Sequence, residues 1–195
     1  MFANRYTALI DACVLAGALR RNLLLTLARA EFFRVRWSQP IMNETQSAIE
    51  AILAGKQMDA AERAARARAA MERAFEDAMV DGFDHLLAVC EGMPDAKDRH
   101  VLAAAIKTRA HVIVTDNLKD FPDHALAPFS IEARSADAFI ADTAMLDIGR
   151  AAGAVQRMRL RLGKPPMSAD DLFIKMDAQG LTETVDILKP YAHLL

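Results

Sequence analysis

The segment PDAKDRHVLAAAIKTRAHVIVTDNLKDFP, residues 94–122, admits few folds. Asp95 follows Pro94, and Asp98 comes three residues later, the spacing of a capped first helical turn. Val101, Leu102, Ala105 and Ile106 then recur at helical spacing. His111 to Val114 is too short for a helix and rich in β-branched residues, so it reads as a strand. Asp116 and Asn117 stand where that strand ends. A helix that feeds a short apolar strand, with acids at both junctions, is a building unit of a parallel sheet covered by helices.

The preceding chain supplies more such units. Tyr6 to Ile10 reads as a short strand ending on Asp11, and Leu15 to Arg29 as a helix that buries Leu19, Leu23, Leu24 and Leu27. Phe32 to Ser38 alternates, with Phe33, Val35 and Trp37 on one face and Arg34 and Arg36 on the other. Pro40 breaks it, Asn43 reads as the N-cap of the next helix, and Glu44 falls in that helix's first turn. Lys56 to Phe75 is a helix by propensity, and Ala78 to Val80 a short strand. Leu86 to Cys90 fits either a strand or a helical turn. Phe129 to Ala133 reads as a late strand, and Ser135 caps a helix through Phe139. From about Asp142 strands cease. A basic helix over Ile148 to Leu162, a GlyLysProPro break at 163–166, a helix opened by Ser168 and closed by Gly180, and a last helix from Thr182 follow. The division expected is an α/β unit over 1–141 and a helical extension over 142–195.

Composition removes several classes. Apolar residues make up 53% of the 195, enough for a sizeable core, and no apolar run reaches the roughly 18 residues of a membrane span. Residues 8–19 resemble the apolar part of a secretion signal but are interrupted by Asp11. Cys13 and Cys90 lie in apolar surroundings, so both read as small core residues in a reducing cytoplasm. A net charge of −2 argues against a surface that attracts nucleic acid everywhere, yet leaves room for a local basic patch.

In parallel α/β sheets, functional groups gather outside the carboxyl ends of the strands. Asp11 and Asp116 follow strands, while Glu44 and Asp98 open helices that begin at the same edge. Periodicity therefore predicts that Asp11, Glu44, Asp98 and Asp116 cluster. So many carboxylates side by side need raised pKa values or a cation, and all-oxygen ligands favour Mg²⁺ or Mn²⁺. Singly, each acid also fits a helix cap or an ordinary turn; only their convergence points to a site. Asp11 is the hardest to read as structural, because an acid between two apolar segments is desolvated.

LIDACVL at 9–15, the helix-leading Glu44, DRHVLAAAI at 98–106 and VIVTDNLKDF at 112–121 together resemble the PIN-domain family. The closer likeness is to the VapC-type toxins of bacterial toxin–antitoxin pairs, in a longer subgroup with a helical C-terminal extension. It covers about residues 6–140. The resemblance implies a three-layer α/β/α fold with a mostly parallel sheet and a metal-dependent endoribonuclease. It implies Asp11 and Asp98 as Mg²⁺ ligands, with Mn²⁺ as the alternative, and Glu44 as a third acid bound directly or through water. The fourth position falls in VTDN, where this sequence departs from the pattern. Relatives carry an acid or Asn two residues after the Thr, which is Asn117 here, and Asp116 stands one residue early. Both remain open, as does Thr115, which either orients an acid or bonds backbone. An RNA substrate, a cognate antitoxin that inserts a segment near the acids, a homodimer and a cytoplasmic location are implied in the same way.

Cations must hold RNA around such an acidic centre, and Arg20, Arg21, Arg34 and Arg36 are the candidates, each also readable as solvated or ion-paired. Trp37 reads as core rather than as a base-stacking residue, and the arginines of 60–74 as a solvated face. The histidines form no metal-binding spacing. Two other classes compete: a nuclease-silent scaffold that binds RNA or protein, and a doubly wound Mg²⁺ phosphotransferase using Asp11. The second lacks the further acid two residues on, where Cys13 stands, and no glycine-rich phosphate loop occurs.

Overall fold

The computed structural model describes residues 6–54, 59–163 and 165–195. The chain opens with β1 (Thr7–Ile10), α1 (Ala12–Ala16), α2 (Ala18–Arg29), β2 (Arg34–Ser38), α3 (Gln39–Ala54) and α4 (Ala60–Ala74). It continues with β3 (Met79–Val80), a 3-10 segment over Asp84–Cys90, α5 (Arg99–Thr108), β4 (Val112–Val114), α6 (Asp123–Leu126) and β5 (Glu132–Arg134). Helices α7 (Ala136–Met145), α8 (Ile148–Arg159), α9 (Ala169–Asp177) and α10 (Thr182–Leu188) complete it.

The five strands form one parallel sheet in the order β3-β2-β1-β4-β5, flanked by helices as an α/β/α sandwich. β1 and β4 are buried throughout, as central parallel strands must be, whereas the edge strand β5 is partly open. The direction of strand addition reverses between β1 and β4. The crevice at that reversal, outside the carboxyl ends of the strands, is where ligands enter doubly wound sheets. Asp11 lies in it: its backbone N–H donates to the Val114 carbonyl at 3.0 Å, and Thr115 and Asp116 follow on the neighbouring strand.

Several local expectations are corrected. The helix expected over Leu15–Arg29 is two helices that meet at Gly17, and Arg21 donates to the carbonyls of Leu15 (2.6 Å) and Ala16 (3.1 Å) at the end of the first. A guanidinium there satisfies carbonyls that the broken helix leaves without partners. Pro40 does not break the chain before α3 but sits in its first turn, where a missing N–H costs nothing. Asn43 is therefore inside the helix, and Glu44 is carried into its second turn. Cys13 is exposed rather than core, while Cys90 is buried. Lys56, the expected start of the next helix, lies outside the described residues; α4 begins at Ala60. The undecided stretch at Leu86–Cys90 is 3-10 helix, and the late strand is Glu132–Arg134, displaced toward Ser135.

Helices α8 to α10 are packed into the principal core. Ala151, Val155, Met158, Leu172, Met176 and Val185 are all buried in the cluster that also holds the central strands. The expected change of character at Asp142 falls inside α7, whose first turn carries a second link to the extension. The buried Asp137 carboxylate accepts the backbone N–H groups of Glu183 and Thr184, both at 2.8 Å, and the Thr184 hydroxyl at 2.7 Å. It thereby satisfies first-turn N–H groups of α10 from another helix. Trp37 is fully buried, edge-on to Phe75, as its pattern predicted. No helix among the described residues is long and apolar enough to cross a membrane.

Candidate active site

Asp11 is fixed before anything else arrives. It is the N-cap of α1, 8% exposed, and its Oδ1 accepts the Ala12 N–H at 2.7 Å. Its Oδ2 accepts the buried Thr115 hydroxyl at 2.8 Å and the Cys13 thiol at 3.1 Å. Thr115 Oγ1 in turn accepts the Asn117 N–H at 3.1 Å, so the Thr hydroxyl joins the loop after β4 to the acid after β1. The Cys13 sulfur lies in the wall of this site, where desolvation first and the Asp11 charge second push the thiol up to about 12. It is thus a neutral hydrogen-bond donor rather than a nucleophile.

Asp98 ends a short 3-10 turn and leads into α5. Burial first, and then the charges of Asp11, Asp95 and Asp120, raise its carboxyl pKa to about 6 against a lowering by His100. Carboxylates that crowd one another in this way are the electrostatic mark of a cation site. Asp95 is held by accepting the Lys97 N–H at 2.9 Å. Asp120 closes the 3-10 turn Leu118–Asp120, and the next residue, Phe121, is buried at 2% exposure and anchors that turn in the core.

The other two expected acids have partners of their own. Asp116 forms an ion pair with Arg20 at 2.9 Å, and its second oxygen accepts the Ala136 N–H at the start of α7. Glu44, carried into the second turn of α3, pairs with His100 Nε2 at 3.0 Å. Asn117 is exposed on the same loop. Asp11, Asp95 and Asp120 thus act on Asp98 electrostatically, whereas Asp116 and Glu44 are tied to cationic or imidazole neighbours. A signal for Asp120 stood in the sequence, since an apolar Phe directly after an acid at a strand exit returns the loop to the core.

Of the candidate basic residues, Arg20 is occupied by Asp116 and by the Gln179 carbonyl at 2.5 Å, and Arg21 by α1. Arg36 donates to the Asp77 carbonyl. Arg34 is exposed at the start of β2, the end of that strand remote from the acids.

A model of the PIN domain matches residues 7–119, more than half of the chain. The chain belongs to the PIN-domain family. A second model, described as the VapC50 C-terminal domain, matches residues 136–190, from the first residue of α7 through α10. Together they give the organisation of a VapC-type PIN protein with a C-terminal extension. A curated relative from Mycobacterium tuberculosis, named "Putative ribonuclease VapC50", is 52% identical over 61 residues, which is 31% of this chain and 35% of the relative. The match thus spans about a third of that relative's length. No solved structure matches.

The donor set of this PIN site suits a small, hard divalent cation. Asp11, Asp98 and Asp120 offer only carboxylate oxygens, and the crowding that raises Asp98 is relieved by positive charge. Among the described residues, no three His, Cys, Asp or Glu side chains are drawn together as tightly as a coordination shell requires. The acids share one electrostatic neighbourhood rather than a closed cage.

Proposed function

We propose that this PIN protein is a Mg²⁺- or Mn²⁺-dependent endoribonuclease that hydrolyses RNA phosphodiester bonds, and that it acts as the toxin of a type II toxin–antitoxin pair. The observation that carries the reading is Asp11, buried and hydrogen-bonded to Thr115 at the strand-order reversal, whose charge helps to raise Asp98 to about 6. Family membership and the ribonuclease name of the relative support it. A divalent cation bound there would polarise a phosphodiester and render water acidic enough to act as the nucleophile. Asp11 and Asp98 would be its ligands, with Asp120 as the third acid. Thr115 and the Ala12 N–H hold Asp11 in one orientation, so the ligand is preorganised by hydrogen bonds rather than by the ion. Glu44 and His100 hold each other at the rim, and Asp116 acts through Arg20 and α7 to position the β4 loop. A small antitoxin, a homodimer and a cytoplasmic setting complete the proposal.

The test is cleavage of a mixed RNA pool in Mg²⁺, Mn²⁺ or EDTA, alongside Asp98→Asn, with thermal melting in the same buffers. Cleavage and a metal-induced rise in Tm, both lost in Asp98→Asn, are expected. A wild-type chain whose Tm ignores both metals and which leaves the pool intact would make it a scaffold instead.

A further inference from the structure

Outside the acid cluster, the strongest feature is a groove of about 680 Å³ between α2, α4 and α8. Its floor is apolar, with Leu25, Met71, Phe75 and Met158 among the lining side chains. Its charged members are Arg21 and Arg29 from α2, Arg157 from α8 and Arg161 from the turn after α8, and no Asp or Glu lines it. In a chain whose net charge is −2, four arginines without a carboxylate are a local reversal of sign. Among the described residues no ion pair involves Arg29, Arg157 or Arg161, and all three are exposed.

The groove leads away from the acids. α2 starts at the catalytic edge, where Arg20 meets Asp116, and ends where the chain turns back into β2 at the opposite edge. Arg21 and Arg29 are eight residues apart, about 12 Å along the helix. α8 runs the other way: Arg150, near its start, stacks on Phe32, which follows α2. Arg161 thus lies toward the catalytic end. Arg157 lies in the last turn of α8 and Arg161 in the turn that follows it, and both line the groove.

We propose that this groove is a track for single-stranded RNA, with α8 of the C-terminal extension supplying one cationic wall. Guanidinium groups on both walls would hold successive phosphates, and the apolar floor with Phe75 would receive base faces, the combination by which single strands are held without sequence readout. The choice of RNA rests on the ribonuclease reading. It is favoured over a protein partner by arginines without ion pairs on both walls and by the absence of any lining carboxylate. The assignment gives the extension a direct role toward substrate.

The experiment measures binding of a fluorescein-labelled, mixed-sequence single-stranded RNA to the full chain in EDTA over a range of salt concentrations. The double variant Arg157→Ala/Arg161→Ala should weaken binding about tenfold at fixed salt and flatten the slope of log K against log salt by about 1.4. Arg29→Ala, on the facing wall, should lower affinity in the same direction. Both sites are exposed, and an unchanged Tm is expected. The control is Arg63→Ala/Arg66→Ala on the exposed face of α4, which removes equal charge away from the groove. An equal loss in the control overturns the proposal, because only long-range charge would then be at work. If an acidic amphipathic helical peptide loses affinity in the groove variant while RNA does not, the groove belongs to a protein and the RNA track is wrong. The two readings also separate. A chain that cleaves RNA but is indifferent to the arginine pair keeps the nuclease and loses the track. A chain that never cleaves but binds RNA through the pair keeps the track and loses the nuclease.

Discussion

Asp98 leads into α5 and Asp116 follows β4, yet the two acids are placed in opposite electrostatic situations. Asp98 is partly buried among Asp11, Asp95 and Asp120, and its carboxyl is raised to about 6. Asp116 is paired with Arg20 and accepts the first N–H of α7. The first is short of positive charge, and the second has been given it by the protein. The sequence offered four similar acids; the fold distinguishes a ligand-poor group from a satisfied one. An acid that the chain already neutralises holds a loop in place, whereas one left among like charges is available to an added cation.

The largest effect should separate the two acids by activity. Asp98→Asn is expected to reduce RNA cleavage by about 100-fold or more, beyond the range typical of residues that only support a ligand, whereas Asp116→Asn should stay within about tenfold. Rates at saturating Mg²⁺ decide this, and similar losses in both variants would abolish the distinction. Next is the anchor beside Asp116. Asp137→Ala leaves the Glu183 and Thr184 N–H groups without their carboxylate and should destabilise the chain by about 2–3 kcal/mol, read from denaturant midpoints. A loss well under 1 kcal/mol would mean that α10 caps itself in solution.

Smaller effects test the sign of the contrast. Without metal at neutral pH, Asp98→Asn should raise Tm because it removes a repelled carboxylate, while Asp116→Asn should lower stability by up to about 1 kcal/mol, the scale of a half-exposed ion pair. Melting of both in EDTA gives the two signs directly. The pH dependence is the finest of these tests. A carboxyl held at about 6 when folded, against about 3.9 when unfolded, binds more protons in the folded chain between those values. Its contribution to stability is therefore full below about pH 4 and is lost as pH rises through 6. Urea midpoints from pH 4.5 to 7 in EDTA should show a falling component that Asp98→Asn removes.

The arginines repeat the lesson. Arg20 and Arg21 looked alike in the sequence as neighbours near an acidic edge, but one braces Asp116 and the Gln179 carbonyl, and the other closes α1. Arg157 and Arg161 drew no attention within a basic helix, because nothing local says which face of α8 meets α2 and α4.

What the sequence determined by itself rests on short-range rules. The strand at Val112–Val114, the Ser135 and Ser168 caps, the buried Trp37 and the acids at strand ends all follow from period, capping chemistry and the geometry of parallel sheets. Helix starts were less legible where two local rules competed, as at Pro40, which can end a strand or open a helix. Only the tertiary structure decided which acids remain unneutralised, because charge balance depends on residues distant in sequence. Arg20 and Asp116 meet from different layers, and the charge of Asp120 acts on Asp98 from a turn whose next residue, Phe121, is buried. The role of the extension was decided at the same level. Its helices are amphipathic whether they pack on this domain or elsewhere, and only their burial in the common core brings α8 alongside α2.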